Sequence, residues 1–313
     1  MDQEPLLTAD HMIQIKNALL KAHPKMLEIL DTMHDVDFGY TTKKDHVSFR
    51  VNGAWSMENL TFAFRRIEQS AKTVEELGLP EGIRAFLKAK QGLVLVTGPA
   101  GSGKSTTLVA MLEEINQTRG EKIITIEDPI EFVFSDKKSV FNQREVGRDT
   151  NSFVAAIRAA LREDPDIVMV GEMRDTDTVE AVLNLAETGH LVFSTLHTSG
   201  SAQTMTRISQ FFSPDEQRQI FTRLADNLLG VISQRLIPRR DGSNKRIALF
   251  ELMLVNSGIK NLIRSGDMAQ IENAIQTGRT EGMVPMATYA QELEKKGIIQ
   301  KDDYIGFFTN QDI

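Results

Sequence analysis

The string GPAGSGKST, residues 98–106, limits what this chain can fold into more than any other stretch. It fits G-x-x-x-x-G-K-[ST], follows the apolar run LVLVT and precedes TTLVAMLEEI, so it reads as strand, glycine-rich turn and helix start. Polyphosphate binding needs that order. Gly101 and Gly103 let the backbone turn its N–H groups onto phosphate oxygens, and a helix N-terminus adds partial positive charge. Gly98, Ser102 and Thr106 complete the cradle. Lys104 is a mobile cation for the β- and γ-phosphates, and Ser105 offers a hydroxyl to Mg²⁺. Such a loop implies a nucleoside triphosphate but does not say what its energy drives.

The downstream pattern supplies the sheet that such a loop requires. IITIED (123–128), DIVMVGE (166–172) and HLVFSTLH (190–197) are apolar, strand-length runs separated by helical stretches near 104–118, 152–163 and 176–188. Continuous apolar strands alternating with helices indicate an α/β fold with a parallel sheet covered on both faces. In such sheets ligands bind beyond the C-terminal strand tips. Glu127, Asp128 and Glu172 therefore gather near the triphosphate. At the second tip Gly171 stands where an Asp usually ends a Walker B strand, so Glu172 is the candidate to orient or deprotonate the attacking water. Glu127 is a second candidate, holding Mg²⁺ through water. The alternative for Asp128 is a cap of the turn that Pro129 begins.

His190 and His197 close the ends of one such run. Seven extended residues span about 23 Å, and an odd separation puts the rings on opposite faces, so the pair binds no common metal. His190 belongs to the strand entrance. His197 belongs to the tip, near Thr195, where it can hydrogen-bond a γ-phosphate and report its loss. A satisfied structural imidazole is the alternative.

Residues 8–34 read as two helices, with Thr8 as an N-cap and Pro24 starting the second. HVSFRVN and LTFAFRRI then alternate as strands, which sets Arg50 and Arg65 on the face opposite the Val and Phe side chains. Residues 69–80 read as a linker, with a hinge at 78–80. Beyond residue 199 the pattern is mostly helical. It includes one long amphipathic segment ending before Pro238 and a single strand-like run, RIALFELM.

With no cysteine, disulfides, thiolate zinc sites and Cys nucleophiles are excluded. A formal net charge of −7 disfavours a dedicated nucleic-acid binder. The first dozen residues lack a basic n-region and a long apolar run, so no signal peptide is expected. No apolar run approaches the ~20 residues of a membrane helix, so no direct membrane insertion is expected.

Four blocks in order, GPAGSGKSTT, ITIEDPIEF, LREDPDIVMVGEMRD and AETGHLVFSTLHT, together with NQREVGRDT, make the chain resemble the secretion-superfamily hexameric ATPases. Within these, it resembles the retraction ATPases of type IV pili, the motors of twitching motility. The resemblance spans roughly residues 36 to 300. It implies a RecA-like P-loop ATPase domain with a parallel-core sheet at 81–313, a linker at 73–80 and a small PAS-like α+β N-terminal domain at 1–72. Members usually carry further N-terminal residues with an SDLHL-like strand, so this domain is shortened relative to the pattern. The resemblance also implies ATP held between the two domains, with Arg50 and Arg65 completing the site. The alternative for these two is a pair of solvated strand arginines. It further implies a homo-hexamer that works in the cytoplasm, peripheral at the inner face of the membrane, on an inner-membrane pilus platform protein. GIKNLIRSG resembles the AIRNLIR motif of retraction ATPases, with Gly258 and Lys260 replacing Ala and Arg. The absence of cysteine counts against the type II secretion branch, which usually carries a four-cysteine zinc element. The rival readings are an accessory nucleotide-binding subunit with little hydrolysis, a type IV or type II secretion traffic ATPase, and a nucleic-acid-dependent ATPase.

Overall fold

Two β-sheets carry the architecture in a computed structural model of the protein, which describes residues 7–21, 24–42, 47–67, 70–243 and 245–308. His46 of the expected strand HVSFRVN and Gln69 of the expected linker lie outside the described residues. So do residues 1–6 and 309–313 of the expected domains.

The first unit opens with α1 (Ala9–Leu20) and α2 (Pro24–Met33). Thr8 caps α1 by accepting from the His11 amide. The helices cover one face of an antiparallel sheet of β1 (Asp35–Thr41), β2 (Ser48–Ser56) and β3 (Asn59–Arg66), in that spatial order. Leu20, Leu30, Val36, Phe38, Val51 and Leu60 form its core. β1 was not expected from the sequence, although Val36 and Phe38 alternate with aspartates in the manner of a half-buried strand.

The second unit begins with α3 (Arg84–Lys88) and β4 (Gly92–Thr97), followed by α4 (Lys104–Thr118), β5 (Lys122–Glu127) and β6 (Val140–Glu145). Next come α5 (Phe153–Ala160), β7 (Ile167–Val170), α6 (Thr176–Glu187) and β8 (Leu191–Leu196). α7 (Ser201–Ser209) and α8 (Pro214–Asn227) lead into β9 (Leu228–Pro238) and β10 (Arg246–Leu254). The last described α-helices are α9 (Ser257–Ser265), α10 (Ile271–Thr277) and α11 (Met286–Lys295). The seven strands lie in the order β10-β9-β4-β8-β7-β5-β6, parallel except for the β9–β10 pair. Alternate residues of β4 supply both cores. Leu93 and Leu95 pack with α5, α6 and α8, whereas Val94 and Val96 pack with α3 and α4. Every β4, β7 and β8 residue is buried, which is why those runs are continuously apolar.

Three differences from the sequence reading have local causes. The amphipathic segment of residues 214–236 is a helix only to Asn227 and then becomes β9. Its second half is buried from both sides, between β4 and β10, so tertiary pairing overrides the helical spacing. β6 is an edge strand with a polar sequence, VFNQRE, and carries little apolar signal. The hinge expected at 78–80 is anchored. Tyr289 on α11 donates its hydroxyl hydrogen to the Gly78 carbonyl at 2.7 Å, and Val74 and Pro80 are buried.

Candidate active site

The phosphate-loop sequence turns between β4 and α4, where the sheet ends and a helix begins. Gly101 and Gly103 hold φ of 74° and 92°, the left-handed region that glycine adopts without strain. Gly103 is the N-cap of α4, so the free amides of the first helical turn face the mouth of the loop. Ser102 is buried, and its hydroxyl has no hydrogen-bond partner among the described residues. Ser105 and Thr106 are exposed on the cleft wall. The Lys104 ammonium donates to the Gly98 carbonyl at 2.9 Å and the Pro99 carbonyl at 3.2 Å. Burial lowers its pKa from the ordinary lysine value, and the Glu172 and Glu131 carboxylates pull the other way.

A polar chain crosses the strand tips. Lys104 Nζ lies 3.4 Å from His197 Nδ1. An ammonium has only hydrogens to give, so Nδ1 accepts and the ring proton sits on Nε2. That nitrogen faces Glu172 Oε2 at 3.4 Å. The other Glu172 oxygen meets Arg174, whose guanidinium also reaches Asp128 at 3.2 Å. Hydrogen bonding to Glu172 raises the already high Arg174 pKa. Thr195 ties the loop after β7 to β8 by donating to the Gly171 carbonyl at 2.6 Å.

Glu127 lies deeper, at the end of β5. Burial pushes its carboxyl up to about 7. It accepts from Thr125 Oγ1 at 2.6 Å, Gln143 Nε2 at 3.3 Å and the Glu131 amide at 3.4 Å, and these bonds only partly oppose that rise.

The opposite wall comes from the small sheet. Arg50 and Arg65 are directly paired across β2 and β3, and both line the cleft that the phosphate loop lines. Arg50 sits 3.6 Å from Glu131 and 3.9 Å from Asp37. Arg65 makes no ion pair among the described residues. Like charges directly opposed on neighbouring strands repel, a cost that an anion bound in the cleft would relieve. The cleft encloses about 610 Å³, within the usual range for small-molecule sites.

The structure thus brings Lys104, Ser105, Glu127, Glu172, His197, Arg50 and Arg65 to one cavity. His190 is elsewhere, at the entrance of β8, bonded to the Leu185 carbonyl and the Thr188 hydroxyl. Sequence reasoning missed Arg174, Arg246 and Gln234. Arg174 follows Glu172 by two residues in GEMRD and was legible as a tip residue. Arg246 joins the cleft only because β10 pairs with β9. Gln234 on β9 donates to the Ser102 carbonyl at 2.7 Å, and the neighbouring Ser233 shares a 2.8 Å hydrogen bond with Thr97. Neither contact has a local sequence signal.

The donor set fits a magnesium–nucleotide ligand. The loop presents amides and an ammonium to an anion, Ser105 supplies a free hydroxyl, and carboxylates stand behind it.

Residues 33–302 match the family described as Type II/IV secretion system protein. The chain is 42% identical over 295 residues to a twitching motility protein of Neisseria gonorrhoeae, covering 94% of this chain and 78% of that one. It is 48% identical over 255 residues to the type IV pilus retractation ATPase PilT of Pseudomonas aeruginosa, covering 82% of this chain and 74% of that one. Among solved structures, it is similar to the pilus retraction motor PilT with bound ADP. The TM-score there is 0.88 at 41% identity, over 96% of this chain and 85% of the other. No helix among the described residues is long and apolar enough to cross a membrane.

Proposed function

The chain belongs to the type II/IV secretion system protein family, and on that premise we propose that it is a subunit of a hexameric ATP-hydrolysing motor that retracts type IV pili. The observation that carries this reading is the convergence on one cleft of Lys104, Glu127, Glu172 and His197 from the large sheet with Arg50 and Arg65 from the small one. A static nucleotide store has no use for charged groups at two strand tips and on a second lobe.

The phosphate loop holds ATP with its backbone amides, and Lys104 exchanges its carbonyl partners Gly98 and Pro99 for the β- and γ-phosphates. Ser105 and, through water, Glu127 would hold Mg²⁺, which would supply charge neutralisation on the phosphates. Glu172 is engaged with Arg174 and His197, and a carboxylate so held acts by orienting the attacking water rather than as a strong base. His197 stands between Lys104 and Glu172 and senses whether the γ-phosphate is present. Arg50 and Arg65 stabilise the charge that develops in the transition state. Residues 81–313 form the ATPase domain and 1–72 the small domain that moves against it, with 73–80 connecting them. The ring acts at the cytoplasmic face of the inner membrane on a pilus platform protein.

The test is steady-state ATPase activity of the purified protein with and without Mg²⁺. Wild type hydrolyses ATP. Lys104→Ala falls to background, and Glu172→Gln binds nucleotide but turns over about 10²- to 10⁴-fold more slowly. Full activity in either variant overturns the mechanism, and a wild type that binds ATP without turnover is an accessory subunit. In the parent cells, Glu172→Gln abolishes twitching while pili remain on the surface.

A further inference from the structure

We infer that Glu145, which no step above uses, is a positioning residue that docks the arginine-bearing row of the small sheet onto the nucleotide cleft. The inference rests on the reading of that cleft as an ATPase site.

Glu145 ends β6 beside Glu127, its register partner on β5, and its side chain is almost wholly buried. A buried carboxylate is costly unless it is bonded. One oxygen accepts from the Ile130 amide at 3.1 Å and the other from the Gly39 amide at 3.4 Å. The Arg148 guanidinium stands 3.9 Å from it and is itself held by Asp149. The first bond stays within the large unit. The second crosses to the small one.

The place of that crossing matters. β1 is the edge of the small sheet, and Gly39 is the register partner of Arg50, which is in turn the partner of Arg65. Glu145 therefore grips the sheet at the end of the row that carries both arginines. A second route runs the same way. The loop that Glu145 fixes through Ile130 continues into Glu131, whose amide bonds Glu127 and whose carboxylate sits 3.6 Å from Arg50. One carboxylate thus sets both the strand under Arg50 and the loop beside it. The chemistry asks for such control, because displacing a charge-stabilising group by about 1 Å costs on the order of 10²-fold in rate.

The experiment compares the full chain in four forms: wild type, Glu145→Ala, Arg50→Ala and the double variant. Glu145→Ala lowers kcat about 10- to 100-fold. In the Arg50→Ala background the same change lowers it several-fold less than in wild type, because Arg65 is the one arginine of the row left for Glu145 to position. A merely structural role gives losses that multiply, and that outcome overturns the inference. Glu145→Gln keeps one acceptor oxygen and restores part of the rate. It also carries the same cycle where the alanine variant does not fold. Hydrogen exchange supplies a readout independent of activity. Amides of the peptide spanning residues 35–41 exchange faster in Glu145→Ala than in wild type, and unchanged exchange there sinks the docking contact. A wild type without turnover defeats the ATPase reading alone, since the exchange result still reports the contact.

Discussion

Glu127 shows how much of the site's chemistry is set by depth. Its carboxyl is near 4.5 in the unfolded chain and about 7 in the folded protein, because burial penalises the ionised form. Below pH 4.5 both states are protonated, and the contribution to stability is fully present. Between 4.5 and 7 the unfolded chain ionises first, so stability falls as pH rises, and above about 7 the contribution is lost. The displacement is worth on the order of 3 kcal/mol. Glu127→Gln cannot titrate. Urea unfolding in magnesium-free buffer between pH 5 and 8 is expected to show a flatter profile for the variant, and identical slopes refute the assignment. Arg65 makes the converse case. It repels Arg50 and has no counter-ion among the described residues, so Arg65→Ala leaves the melting of the nucleotide-free protein unchanged or slightly raised. ATP turnover falls on the order of 10²-fold. A calorimetric scan beside an ATPase assay checks both halves. Lys104, Glu172 and His197 were readable before any fold was known, since strand tips in a parallel sheet converge by rule. Gln234 and Arg246 were not, because the pairing that brings them to the loop is a long-range event.

At the level of elements, legibility follows burial. β4, β5, β7 and β8 announce themselves through continuous apolar runs, because both of their faces are covered. β6 is polar because it lies at the edge, and β9 reads as the tail of α8 because leucine and isoleucine serve either period. Gly230 marks what that reading missed. A side-chain carbon there meets the Met253 carbonyl at 2.3 Å and the Phe86 ring at 2.4 Å, so the strand lies too close to its neighbours for anything larger. Gly230→Ala is expected to cost at least ~2 kcal/mol, seen as a lower denaturation midpoint with an unchanged denaturant slope. A neutral result contradicts this packing. The anchored linker belongs to the same scale. Its Gly78 carbonyl is tied to Tyr289 on α11, a contact that no local pattern at 73–80 announces.

The molecule as a whole divides its labour between a rigid, doubly covered sheet and a small sheet that brings cations to it, and the resemblance seen in the motifs anticipated that division. What the motifs did not convey is that the far wall of the phosphate loop comes from β9, whose Gln234 lies 132 residues downstream of the Ser102 it supports. During translation the loop leaves the ribosome long before its wall is made. A growing chain that stops short of β9 displays the binding signature without the support that Gln234 gives the Ser102 carbonyl, so the loop gains that support only after the rest of the parallel sheet has been made.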